Sequence, residues 1–147
     1  MQVAIILMTI IGGFSKFYKR FIPVSIGLEL KTFFIILISI THGINTAFIA
    51  AVLMVLVSAV ISGRFCHWIL IKIGVYALVV GIVAALSGRG VVFAGRAAVL
   101  FLNGAYLFFN VIFKDFRIFA DLPGNIVNIS FNFLLLGFFA EPLVSFL

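Results

Sequence analysis

Apolar residues run along this chain in long unbroken stretches, separated by short polar breaks, with no strict alternation of apolar and polar positions. Continuous runs of this kind select helices over the alternating strands of a membrane barrel. A bilayer core about 30 Å thick takes roughly 20 helical residues per crossing. The pattern therefore predicts spans over residues 2–13, 21–41, 46–61, 67–86, 91–113 and 124–147. Between Thr32 and Gly63 only the titratable His42 interrupts 32 residues without formal charge. That is too long for one ordinary crossing, and the run Thr41-His42-Gly43-Ile44-Asn45-Thr46 is the natural break. The expected fold is an all-α, polytopic transmembrane helix bundle of six spans, or five if the first short segment does not cross. Without an internal repeat, low-complexity tract or linker, residues 1–147 read as a single domain.

Composition confirms lipid as the solvent: 65% of the 147 residues are hydrophobic, 10% are charged, and the mean hydropathy is +1.40. A soluble domain carries roughly 25% charged residues, so this chain lacks the polar surface to cover itself in water. The net charge of +6 sits mostly in the breaks, where it signals orientation rather than nucleic-acid binding. Lys16, Lys19, Arg20, Arg64, Lys114 and Arg117 fall in alternate breaks against Arg89 in the others. By the positive-inside rule the first group is cytoplasmic, in the cell membrane, and six spans then put both termini outside. The first segment lacks a basic leader and a small-residue cleavage site, and reads as a retained span. Interleaved polar and apolar residues over 114–123 suit an interfacial helix or a solvated loop, with Pro123 opening the last helix.

Ionisable residues inside a bilayer cost at least about 2.5–3.5 kcal/mol, so each needs a reason. Lys72 and Arg96 lie near span ends, where a long stem can carry the charge to the headgroups. Glu29 has a short stem and, in a helix starting at Phe21, lies about 12 Å deep. It needs a partner, either a ligand or a lysine such as Lys31 or Lys72. Ser25, Glu29 and Thr32 share one helical face. Arg96, Asn103 and Asn110 form a second stripe and Asn125, Asn128 and Asn132 a third. Polar faces in lipid turn inward, toward other helices or a wet cavity. Counted from the cytoplasmic ends, Glu29, Asn103 and Asn132 reach similar depths of about 12–15 Å. The candidate binding set is thus Glu29, Asn103 and Asn132, with Lys72 or Arg96 supplying charge; interhelical hydrogen bonding is the competing account of the same stripes. His42 and Asn45, at the outer break, either gate or bind a cation, or simply occupy a polar turn.

Small residues four apart, Ala47 with Ala51, Gly81 with Ala85 and Ala94 with Ala98, allow close helix approach. His67 and Trp68 suit an interfacial aromatic belt. Cys66 stands alone, so no intramolecular disulfide or thiolate cluster can form. Phosphate-loop, zinc-protease and nucleophile-elbow motifs are absent from the sequence. That disfavours an enzyme and implies no catalytic residue, metal or cofactor.

The stretch Ile26-Gly27-Leu28-Glu29-Leu30-Lys31-Thr32-Phe33-Phe34, the turn His42-Gly43-Ile44-Asn45 with a small-residue-rich helix after it, and the final Asp121-Leu122-Pro123-Gly124-Asn125-Ile126-Val127-Asn128 carry a family likeness. Over these segments the chain resembles the substrate-capture (S) components of energy-coupling-factor transporters and the related MreD-like small membrane proteins. The resemblance implies a six-helix bundle that holds a small solute in an outward-facing pocket and docks on a partner membrane subunit driven by ATPases. The expected partners are the lipid bilayer, other membrane subunits and a small solute. The alternative is a non-catalytic structural or accessory subunit of a larger membrane complex.

Overall fold

A computed structural model of the chain describes residues 2–15, 17, 28–63, 67–113 and 118–147. Every regular element among them is helical: α1 (Gln2–Phe14), α2 (Leu30–Ser62), α3 (Trp68–Leu86), α4 (Val91–Ile112) and α5 (Ile118–Phe146), with a 3-10 turn at Ser87–Arg89. Four helices, α2 to α5, are long and apolar enough to cross a membrane, where six crossings were expected. At 13 residues, α1 rises only about 20 Å, short of a full crossing.

The expected second and third spans are joined in α2, whose helix is interrupted at Gly43 (φ 83°, ψ 174°). Only glycine adopts that backbone region readily. Lys31 and Ser58 are 27 residues apart and hydrogen-bonded at 3.3 Å. In a continuous helix they would stand about 40 Å apart. The chain therefore reverses at Gly43, at the break read from the sequence, and α2 is a hairpin with arms over residues 30–42 and 44–62.

The first arm is the centre of the molecule. Ile35, Ile36, Leu37 and Ile38 are all fully buried, which on a helix covers every direction around the axis; such a helix needs neighbours on all sides. Helix α1 lies against the second arm, where added Cβ atoms on Gly12 and Gly13 would stand 2.6 Å from Met54 Sδ and 2.7 Å from Val57 Cγ1. On α4, Gly95 admits Leu136 of α5 to 2.7 Å of its own missing Cβ, with Ile36 at 3.4 Å. Of the three small-residue pairs, Ala47 with Ala51 and Ala94 with Ala98 are buried at helix contacts. Gly81 and Ala85 face outward, with nothing within 4 Å of a Cβ on Gly81.

Contacts along the helices fix their directions. Glu29 meets Asn132 and Ile36 meets Leu136, so the first arm and α5 run parallel, while the tight turn at Ser87–Arg89 reverses α3 into α4. The hairpin turn at Gly43 and the α3–α4 turn thus share one end of the bundle, as the alternating breaks required. At the other end His67, Trp68 and Phe113 gather their rings at 5.7–5.8 Å, an aromatic cluster of interfacial type. Outward faces carry Leu70, Leu78, Leu100, Phe108, Leu134 and Phe138, the apolar coat that lipid demands.

Two boundaries differ from the sequence reading. Helix α5 begins at Ile118, so Pro123 lies within the helix rather than opening it. Glu29 is the extended N-cap residue of α2, so it is not two turns inside a helix begun at Phe21. Residues 21–27, including Ser25, lie outside the described residues, as do the basic residues Lys16, Lys19, Arg20, Arg64, Lys114 and Arg117 and the lone Cys66.

Candidate functional site

Glu29 is nonetheless buried, with 5% exposure. Its depth comes from the position of the α2 N-terminus inside the bundle, where the helix dipole favours negative charge. Asn132, at 0% exposure, holds this end in place: its Nδ2 donates to the Glu29 carbonyl at 3.5 Å, to the Asn128 carbonyl at 3.0 Å and to Asn128 Oδ1 at 2.7 Å. Three oxygens around one nitrogen fix the amide orientation, and so aim Asn132 Oδ1 away from them. That oxygen is buried and has no hydrogen-bond partner.

Two hydroxyls beside Glu29 are in the same state. Thr9, Thr41 and Ser62 each donate to the carbonyl four residues back, the usual resort of a helical hydroxyl. Thr32 sits in the first turn of α2, where the residue four back, Leu28, precedes the helix. Its Oγ1 is buried without a partner, and so is the hydroxyl of Tyr76 from α3. Tyr76 neighbours Thr32 and Tyr106 of α4, and both tyrosines lie within electrostatic range of Glu29. Asn125 Nδ2, one turn before Asn128 on α5, is likewise buried and unpartnered. Four helical segments thus bring Glu29, Thr32, Tyr76, Tyr106, Asn128 and Asn132 to one end of the core.

The remaining candidates are distributed around this cluster. Asn103 is buried, on helical rise near the level of Asn128, but its Nδ2 donates back to the Val99 carbonyl at 2.8 Å instead of into the asparagine network. Lys72 is half-buried and precedes Tyr76 by four residues, on the same face of α3. Lys31, at 2% exposure, donates to Ser58 and ties the hairpin arms together. Arg96 is exposed at the α4–α5 seam, away from the cluster.

His42 and Asn45 lie at the hairpin turn, the opposite end of the bundle from Glu29. Thr41 Oγ1 spends its one proton on the Leu37 carbonyl at 2.8 Å, so the 2.6 Å contact with His42 Nδ1 makes that nitrogen the donor. His42 Nε2 is buried without a hydrogen-bond partner. Asn45 is exposed. Among the described residues no three His, Cys, Asp or Glu side chains converge to hold a metal ion.

Thr32 and Asn128 belong to stripes visible in the sequence, but Tyr76 and Tyr106 were not singled out. Their signal was available: tyrosine prefers the membrane interface, and one placed mid-span must find a polar neighbour.

A helical bundle with four membrane-length apolar helices and a lipid-type outer coat defines an integral membrane protein. Compared with known protein families, characterised proteins and solved structures, the chain matches none.

Proposed function

We propose that this protein is a solute-binding membrane subunit of transporter type, resident in the cell membrane, with its site at the Glu29 end of the bundle. One observation carries the reading. Thr32 Oγ1, Tyr76 Oη and Asn132 Oδ1 are each buried without a well-formed hydrogen bond, although Thr32 and Tyr106 adjoin the Tyr76 hydroxyl, and such an atom costs about 1–3 kcal/mol if nothing meets it. Buried polar atoms gathered from several helices and left without well-formed bonds are satisfied by water or by a polar solute. In this reading Glu29 supplies charge, Asn132 positions the N-terminus of α2, and Tyr76 and Tyr106 form the wall. The second hairpin arm with α3, α4 and α5 makes four crossings, while the 13-residue first arm, like α1, is too short to cross alone. A partner membrane subunit would drive release.

Glu29→Gln keeps the size of the side chain and removes its charge. Solute binding by the purified variant, measured against a library of small polar metabolites by ligand-induced thermal stabilisation, is expected to disappear while extraction and monodispersity match the unmodified protein. Unchanged stabilisation by the same solute would remove Glu29 from the site. If the unmodified protein responds to no solute and instead purifies with a stoichiometric membrane partner, the accessory-subunit reading takes precedence.

A further inference from the structure

Arg96 and Arg89 take no part in the Glu29 cluster and lie toward the opposite end of the bundle. Arg96 is the sixth residue of α4, exposed, with its guanidinium 5.4 Å over the Phe133 ring of α5. One of its nitrogens is 3.6 Å from where a Cβ on Gly137 would stand, so the group lies across the helix seam in the notch that glycine leaves. Arg89, in the turn before α4, places its guanidinium 5.7 Å over the exposed ring of Phe93. Phe93 and Arg96 are three residues apart on α4 and share a face. Two guanidinium groups lying over two phenyl rings therefore follow one strip at the mouth of the α4–α5 seam.

A cation–π contact satisfies none of the five N–H donors of a guanidinium, which lie in its plane and point outward from its edge. Among the described residues neither arginine makes an ion pair or a hydrogen bond, and Glu141, one turn past Gly137 on α5, makes none with them. A cation facing lipid without an acceptor is disfavoured, and near a span end its side chain reaches for the headgroups. Arg96 lies about 8 Å below the start of α4, and helical side chains lean toward the N-terminus, here toward the headgroups. The acceptor that a bilayer supplies at that level is phosphate, whose oxygens match the guanidinium fork.

We propose that Arg89 and Arg96, braced on Phe93 and Phe133, hold the headgroup phosphate of an anionic phospholipid at the α4–α5 seam. The site is independent of solute binding at Glu29. The test is native mass spectrometry of the full chain from nanodiscs of phosphatidylcholine mixed equally with phosphatidylglycerol. Retained phosphatidylglycerol should exceed phosphatidylcholine by about ten-fold, the factor carried by one charge-assisted bond of roughly 1.4 kcal/mol. R96Q and R89Q should each lower that enrichment several-fold. R96K keeps the charge but loses the fork, and should fall between R96Q and the unmodified protein. Both arginines are exposed, so the variants should keep the thermal unfolding midpoint measured in phosphatidylcholine alone, which separates lost lipid from lost fold. Equal retention of the two lipids, or full enrichment in the double variant R89Q/R96Q, would overturn the proposal. Displacement of the lipid by millimolar inorganic phosphate would assign the site to a soluble anion instead. A co-purifying protein lost on R96Q would assign it to a partner's carboxylate, and either result refutes the lipid assignment.

Discussion

Asn132→Leu separates a binding site from a helix fastener. The substitution removes two well-formed hydrogen bonds, to the Asn128 carbonyl and to Asn128 Oδ1, and one long one to the Glu29 carbonyl. The two well-formed bonds lie within α5 and only the long one joins two helices, and side-chain hydrogen bonds between membrane helices average only about 0.6 kcal/mol, with measured values reaching roughly 1.7. The same change deletes Asn132 Oδ1, a buried acceptor without a partner, and an unmet group of that kind costs about 1–3 kcal/mol. The opposing effects are similar in size, and leucine, with as many side-chain heavy atoms but bulkier methyl groups, adds an overpacking cost of about 1–3 kcal/mol at this buried position. The net loss of stability should therefore stay below about 3 kcal/mol, while solute binding is lost. Reversible unfolding in mixed micelles titrated with denaturing detergent measures the first quantity, and ligand-induced stabilisation the second. A loss of more than about 3 kcal/mol would refute the reasoning, since it exceeds what these bonds supply. It would mean that every polar atom of Asn132 is engaged in holding helices together. A double-mutant cycle with Asn128→Leu apportions the contact between the two residues.

Gly43→Ala should destabilise the hairpin by about 1–3 kcal/mol because of the backbone strain at φ 83° and ψ 174°, read as a lower unfolding midpoint although nothing lies within 4 Å of the added methyl. Gly95→Val should cost about 1–3 kcal/mol by overpacking against Leu136 and Ile36. Gly81→Ala, in open surroundings on α3, should be neutral or stabilising by up to about 1 kcal/mol; equal losses at positions 81 and 95 would contradict the packing described. An impermeant thiol reagent applied to intact cells should leave Cys66 unlabelled, and labelling from outside would reverse the orientation taken from the basic residues.

Much of the architecture was legible because Gly43 stands among the polar residues of its break, and a chain cannot reverse in lipid without such a signal. Helix limits were less legible. Both lipid-facing and core-facing positions are apolar, so hydropathy loses the contrast that marks boundaries and faces in soluble proteins. Glu29 shows the effect: its burial was anticipated, but from a helical register that the helix starting at Leu30 does not have. The stripe of Arg96, Asn103 and Asn110 misled in a related way. One face of α4 is covered by α5 and the hairpin near Asn103 but opens outward at Arg96, so residues seven apart do not share surroundings. Asn132 is buried, as expected, because an asparagine deep in a span has few alternatives to an inward position. Tyr76 and Tyr106 were missed because their rings pass as apolar in any hydropathy count, while their hydroxyls do not.

The first arm of the hairpin has consequences for how the protein is made. It is made before α3, α4 and α5, yet its entire circumference is reserved for other helices, and its Glu29 end meets a residue 103 positions later. Until α5 is inserted, the nascent chain must hold Glu29 and Lys31 within or beside the membrane with that enclosure incomplete. Assembly should therefore be completed by the last helix rather than helix by helix. A chain stopped before α5 would present to membrane quality control an unfinished charged core, and the polar cluster would come into being only when α5 joins the bundle.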